Sequence, residues 1–240
     1  MSNEQRDGSH DTVRIGKRTR VVGAIVVGCL LGLALGGGAA TVLYLRHERT
    51  LASAQAATPP AVCRPIACSN LGSLPAPDYR LVDQRGRDVS MTSLRGKTIV
   101  LEFMDPVCTA MCPIVSAEFA RADRQLGPLA HDAEFLAINV NQYRESVADV
   151  HRYSERHGML GLANWHFLTG TTARLERVWH DYRITVIPNP SGDVQHTSIM
   201  YFIDAAGHIR YSAFPLQSKA SIGTFAKTIS DTVRQMIRSR

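Results

Sequence analysis

The stretch TIVLEFMDPVCTAMCP, Thr98 to Pro113, decides the fold. Its first seven residues, Thr98–Met104, are an apolar run of the kind that forms a buried central strand. The run ends in a short loop carrying Cys108. Cys112-Pro113 follows, and from about Pro113 to Leu126 the spacing is helical, with Pro113 suited to the first helical position. Ile114, Phe119 and Leu126 supply the inner face of that helix. Two thiols are thus placed where a strand gives way to a helix N-terminus. Its partial positive charge and free N–H groups favour thiolate over thiol. Such a pair can bind a soft metal, form a disulfide or carry out thiol–disulfide exchange.

The flanking sequence builds an α/β domain around this centre. Tyr79–Val82 and Asp88–Met91 read as strands about the turn Asp83–Arg87. Glu134–Val140 is a further strand, and Glu145–Arg156 a helix ended by His157-Gly158. A helix over Thr171–Tyr182 is capped by Thr171 or Thr172 and turns Leu175, Val178 and Trp179 inward. Strands Ser198–Ile203 and His208–Ala213 meet at the turn Asp204–Gly207, and a helix over Ser221–Ile237 closes the domain. This order predicts a sandwich with a mixed sheet and flanking helices.

The N-terminal part is of another kind. Residues 1–20 form a polar tail with five Lys/Arg and three Asp/Glu, accounting for +2 of the net charge of +6. No basic run follows the tail, which argues against nucleic acid as a partner. Residues 21–45 are uncharged and long enough for a transmembrane helix. Lys17, Arg18 and Arg20 precede them, so the tail is expected in the cytoplasm and the bulk of the chain outside the cell membrane. A cleaved signal peptide with Ala52-Ser53-Ala54 as its site is the other reading, and the length of the run favours an uncleaved anchor. Val26-Val27-Gly28-Cys29 loosely resembles a lipoprotein cleavage box, but most of the apolar run follows Cys29. Residues 46–75, rich in Ala, Pro and Ser, read as a flexible tether, and 76–240 as the folded domain. Within the tether, Cys63 and Cys68 form either a small local disulfide or a second thiol pair serving the main site.

A strand, a cysteine loop and a helix make up the arrangement of thioredoxin-like folds, although three residues rather than two separate the cysteines here. Either the pair spans one helical turn, or Cys108 lies in the loop above a capping Cys112. In thioredoxin folds a cis-proline precedes the strand of the final hairpin and packs against the cysteines. Here Gln195-His196-Thr197 stands before that strand, which puts His196 opposite the thiols. Two cysteines and a histidine make a set of donors suited to copper. From about Ala76 onward the chain resembles the Sco/SenC/PrrC family of membrane-anchored, copper-binding thioredoxin-like proteins. The resemblance rests on DQRGRDVSMTSLRGKTIVLEF (Asp83–Phe103), the C-x₃-C-P motif at Cys108 and Cys112, and the histidine before IMYFID. It implies copper binding by Cys108, Cys112 and His196, and a role in building the CuA centre of a cytochrome c oxidase subunit. Thr109-Ala110 stand where the family usually has Pro-Asp, Asp105-Pro106 replace its Gly-Tyr-Thr type of lead-in, and Gln195 replaces an Asp.

Two functions therefore stand side by side. One is a copper metallochaperone; the other is a membrane-anchored thiol–disulfide oxidoreductase with Cys108 and Cys112 as catalytic residues. A peroxidase lacks support, since no Thr-x-x-Cys peroxidatic motif with a matching arginine is evident. Met111 reads as an apolar contact rather than a thioether ligand, and Met104 and Met200 as core. Asp105 either caps its loop or tunes the site and binds a partner.

Overall fold

The computed structural model describes residues 68–214 and 224–239. The chain begins with β1 (Cys68–Pro75), β2 (Arg80–Val82), β3 (Asp88–Ser90) and β4 (Thr98–Met104). Then come α1 (Met111–Leu126), β5 (Ala133–Asn139), α2 (Val147–Arg156), β6 (Trp165–Leu168) and α3 (Thr172–Asp181). The last elements are β7 (Val186–Ile187), β8 (Gln195–His196), β9 (Met200–Ile203), β10 (His208–Ala213) and α4 (Thr224–Arg238).

Six strands make one mixed sheet in the order β1-β10-β9-β4-β5-β6. β4, β5 and β6 run parallel, while β9 is antiparallel to both β4 and β10. Every residue of β4 is buried, as expected for a strand covered on both faces. Its side chains alternate between two cores. Val100 and Met104 face Phe119 of α1, Tyr153 of α2 and Ile229 of α4. Ile99, Leu101 and Phe103 face the β2–β3 hairpin and the inner side of α3, where Leu175, Val178 and Trp179 are all buried as expected. The mixed sheet with flanking helices matches the sequence-based expectation.

Several polar groups pin these layers. Ser146 caps α2 by accepting from the Asp149 N–H, and Gly158 takes the left-handed φ of 69° just beyond the helix end. Buried Glu118 of α1 accepts a 2.7 Å bond from the Ala226 N–H in the first turn of α4. Gln84 fastens the hairpin to the sheet, accepting from the Phe167 N–H and donating to the Trp165 carbonyl.

The domain boundary expected at Ala76 needs correction. Residues 68–75, assigned above to the tether, form β1 and pair antiparallel with β10. Cys68 is disulfide-bonded, and Cys63 lies outside the described residues. Residues 1–20, the expected anchor at 21–45, and 46–67 also lie outside them. Among the described residues no helix is long and apolar enough to cross a membrane.

Candidate metal and thiol site

β4 delivers the chain to the site. At its end Asp105 is fully buried, and its carbonyl accepts from the Cys108 N–H at 3.1 Å, closing a tight turn. Helix α1 then starts at Met111, two residues before the position expected from Pro113. Its N-cap position is Ala110, which has no side chain able to cap. The Cys108 sulfur fills that role. It lies 3.5 Å from the Cys112 N and also receives the Ala110 and Met111 N–H groups. Of the two arrangements read from the sequence, Cys108 is in the loop and is itself the capping residue.

This geometry divides one proton unequally. A hydrogen bond from the Cys112 thiol lowers the Cys108 pKa most, followed by the helix amides; burial opposes them, and the outcome is a pKa of about 5. The same bond, with burial and the Cys108 charge, pushes the Cys112 thiol far above its ordinary value. The pair is therefore a half-buried thiolate beside a buried thiol, and both cysteines are free.

Alkylation of the reduced protein should show this directly. At pH 7 an unperturbed thiol is only about 3% thiolate, whereas Cys108 is almost fully ionised. Nucleophilicity falls along with pKa and offsets much of that gain, so the rate alone discriminates poorly. The midpoint of the pH profile for iodoacetamide should fall near 5, with Cys112 unreactive over the same range. A midpoint above 8 would show that the thiolate is not held as described.

His196 lies half-buried on β8, in a ribbon with β7 that pairs it with Val186. Its Nδ1 is 3.0 Å from the Thr197 carbonyl. A carbonyl only accepts, so this bond places the proton on Nδ1 and leaves the lone pair of the neutral ring on Nε2. Cys108, Cys112 and His196 line one cavity of about 560 Å³, with Met111 and Phe214 at its rim and Glu102 on its wall. In this conformation they are neighbours across a cavity rather than one coordination sphere. Among the described residues no three His, Cys, Asp or Glu side chains are gathered closely enough to hold a metal ion. Met104 and Met200 are fully buried core residues, as expected.

Glu102 escaped the sequence reading. It alternates with Val100 and Met104 on β4 and so points to the α1 side of the sheet, towards Cys112. Burial raises its pKa to about 8, against bonds from the Phe103 and Ile199 N–H groups, and its Oε2 has no partner. The available signal was a single acidic residue inside the apolar run TIVLEFM.

A mixed sheet, a cysteine loop capping a helix and a histidine ribbon facing it define a thioredoxin-like protein with a thiol–imidazole site. The SCO1/SenC family model matches residues 70–233, and the chain belongs to that family. Among its relatives is the SCO1 protein homolog of Bacillus subtilis (strain 168), 23% identical over 134 residues, which are 55% of this chain and 69% of that protein. The mitochondrial SCO2 homolog of Bos taurus is 28% identical over 201 residues, 80% of this chain and 68% of the relative. The structure of Bradyrhizobium japonicum ScoI with copper bound superposes with a TM-score of 0.56 at 24% identity, covering 67% of this chain and 98% of that one.

Proposed function

We propose that this protein is a copper metallochaperone for cytochrome c oxidase assembly, holding its cargo through Cys108, Cys112 and His196. The observation that carries this reading is the shared cavity. A thiolate, a thiol and an imidazole open onto it, and the imidazole Nε2 is left as the donor by the bond at Nδ1. Metal-bound histidines are commonly oriented through such a bond from the other ring nitrogen to a carbonyl. Sulfur and imidazole are the donors copper prefers, and membership of the SCO1/SenC family points the same way. Copper is the cargo here. Its client, on this reading, is the CuA-bearing subunit of the oxidase. Residues 21–45 anchor the chain in the cell membrane, and residues from 46 onward lie on the extracytoplasmic side.

Titration with copper tests the proposal. The reduced protein should bind one equivalent, and Cu(II) should give thiolate charge-transfer bands. Cys108→Ser or Cys112→Ser should abolish those bands. Full copper binding by either serine variant would remove the pair from the site.

A second reading rests on the unequal proton sharing. A thiolate with pKa about 5 beside a buried thiol is also a nucleophile with a resolving partner, as thiol–disulfide exchange requires.

A further inference from the structure

We propose that Asp105 is a positioning residue that sets the distance between the thiol pair and His196. The inference rests on the ligand set proposed above. Asp105 is fully buried where β4 ends, and its carboxyl group holds two segments far apart in sequence. On the thiol side, Oδ1 accepts from the Val107 N–H at 2.9 Å, the Asp105 carbonyl accepts from Cys108, and the Asp105 N–H is directed at the Cys112 sulfur. On the histidine side, Oδ2 accepts a 2.7 Å bond from the N–H of Val194, two residues before His196.

Asn141, also fully buried, closes the link. Its Nδ2 reaches both Asp105 oxygens, at 3.2 and 3.1 Å, and the Gly192 carbonyl at 3.3 Å. Its Oδ1 accepts from the Tyr143 N–H, and its own N–H donates to Asn139 Oδ1. Asp105 and Asn141 together thus hold residues 192–194 against the cysteine loop. Capping that loop needs only the bond to Val107. The bonds to Val194 and, through Asn141, to Gly192 serve no purpose within the loop. They fix where the β8 ribbon, and with it His196, stands across the cavity.

The side chain suits this role because only donors converge on it. The N–H groups of Val107 and Val194 and the Asn141 amide all need acceptors, and a carboxyl group offers two oxygens. Asparagine has the same shape but offers one oxygen and turns N–H groups towards donors. In Asp105→Asn at least one anchor must therefore let go.

The test compares copper affinity in four proteins: the unaltered chain, Asp105→Asn, His196→Ala and the double variant. Affinity is measured by chelator competition, and histidine nitrogen coupling to Cu(II) by pulsed paramagnetic resonance. Asp105→Asn should lose the nitrogen coupling and weaken copper binding about 10–100-fold, the range for supports of metal ligands. In the His196→Ala background it should cost no more than about twofold, because the residue acts through the histidine. Asn141→Ala, which removes the link to Gly192, should weaken binding in the same direction and supplies the reading should Asp105→Asn not fold.

Equal losses in both backgrounds would show general damage to the site and overturn the proposal. So would unchanged copper binding and nitrogen coupling in Asp105→Asn and Asn141→Ala while His196→Ala still weakens binding. Unchanged binding in His196→Ala itself would overturn the ligand set, and this proposal with it.

Discussion

His196→Ala should keep the thiol chemistry and lose the copper function. In cells lacking the protein, this variant should restore less than a tenth of the oxidase copper loading that the unaltered chain restores. The purified variant should still form and exchange the Cys108–Cys112 disulfide at an unchanged rate. The separation follows from what each group touches. Cys108 is held as a thiolate by the Cys112 thiol and by the amides of Ala110, Met111 and Cys112, none of which depends on the imidazole. Copper needs more than a nucleophile: it needs donors that hold it until handover, and His196 is the third on the cavity wall. Serine variants cannot make this distinction, because both functions use both cysteines. Oxidation adds a second handle. A disulfide has no thiolates to offer, so the oxidised protein should take up copper only after reduction. Normal oxidase loading with His196→Ala, together with failure of Cys108→Ser, would transfer the function to thiol exchange.

The centre of the fold was legible because its signals are strong and local. β4 occupies the residues Thr98–Met104 read from their apolar run, and the buried side of α3 is the predicted Leu175, Val178 and Trp179. The elements that escaped carry no such pattern. β1, CSNLGSLP, is an edge strand with one buried residue, held through its main chain, and its Gly, Pro and Ser read as a linker. β6 has four residues, all buried, and so no alternation; β7 and β8 have two each. The start of α1 was misread for a chemical reason. Rules for helix starts look for Ser, Thr, Asp or Asn, and here a cysteine sulfur three residues before Met111 does the capping. Ile114, expected on the inner face, is only partly buried, because the buried stripe runs through Val115, Phe119, Ala122 and Leu126 at three- and four-residue spacing and Ile114 falls beside it.

The residues that face the cavity were legible in the sequence, but the groups that support them were not. Cys108, Cys112 and His196 line one cavity, as their places in a thioredoxin-like fold suggested. The links that arrange them run from Asp105 to Val194 and Asn141, across sequence separations of 89 and 36 residues, beyond the reach of any periodicity. Asp105 departs from the family pattern in the sequence, but its partners emerge only in three dimensions.

Glu102→Gln should remove a loss of stability that sets in as pH rises from about 4.5 to 8. Burial holds Glu102 protonated up to about pH 8 in the fold, against an ordinary value of 4.5 when the chain is unfolded. Between those values the unfolded chain gives up a proton that the native one keeps. Stability from this group is therefore complete below about pH 4.5 and falls as pH rises towards 8. At about 1.4 kcal/mol for each pH unit between those two values, the loss is on the order of 5 kcal/mol across the window. Cys108 acts in the opposite sense: its depressed pKa adds stability as pH rises from 5 to 9, so the net slope of the unaltered protein mixes the two. Subtracting the stability of Glu102→Gln isolates the carboxyl group, because the amide has nearly the same shape and does not titrate. Urea unfolding of the reduced proteins should give similar stabilities at pH 5 and a variant several kcal/mol more stable at pH 8.5. The same substitution should leave the Cys108 alkylation midpoint near 5, since Glu102 is absent from the groups that set it. Parallel stability curves from pH 5 to 8.5 would show that the Glu102 carboxyl ionises freely in the fold and that burial does not hold its proton.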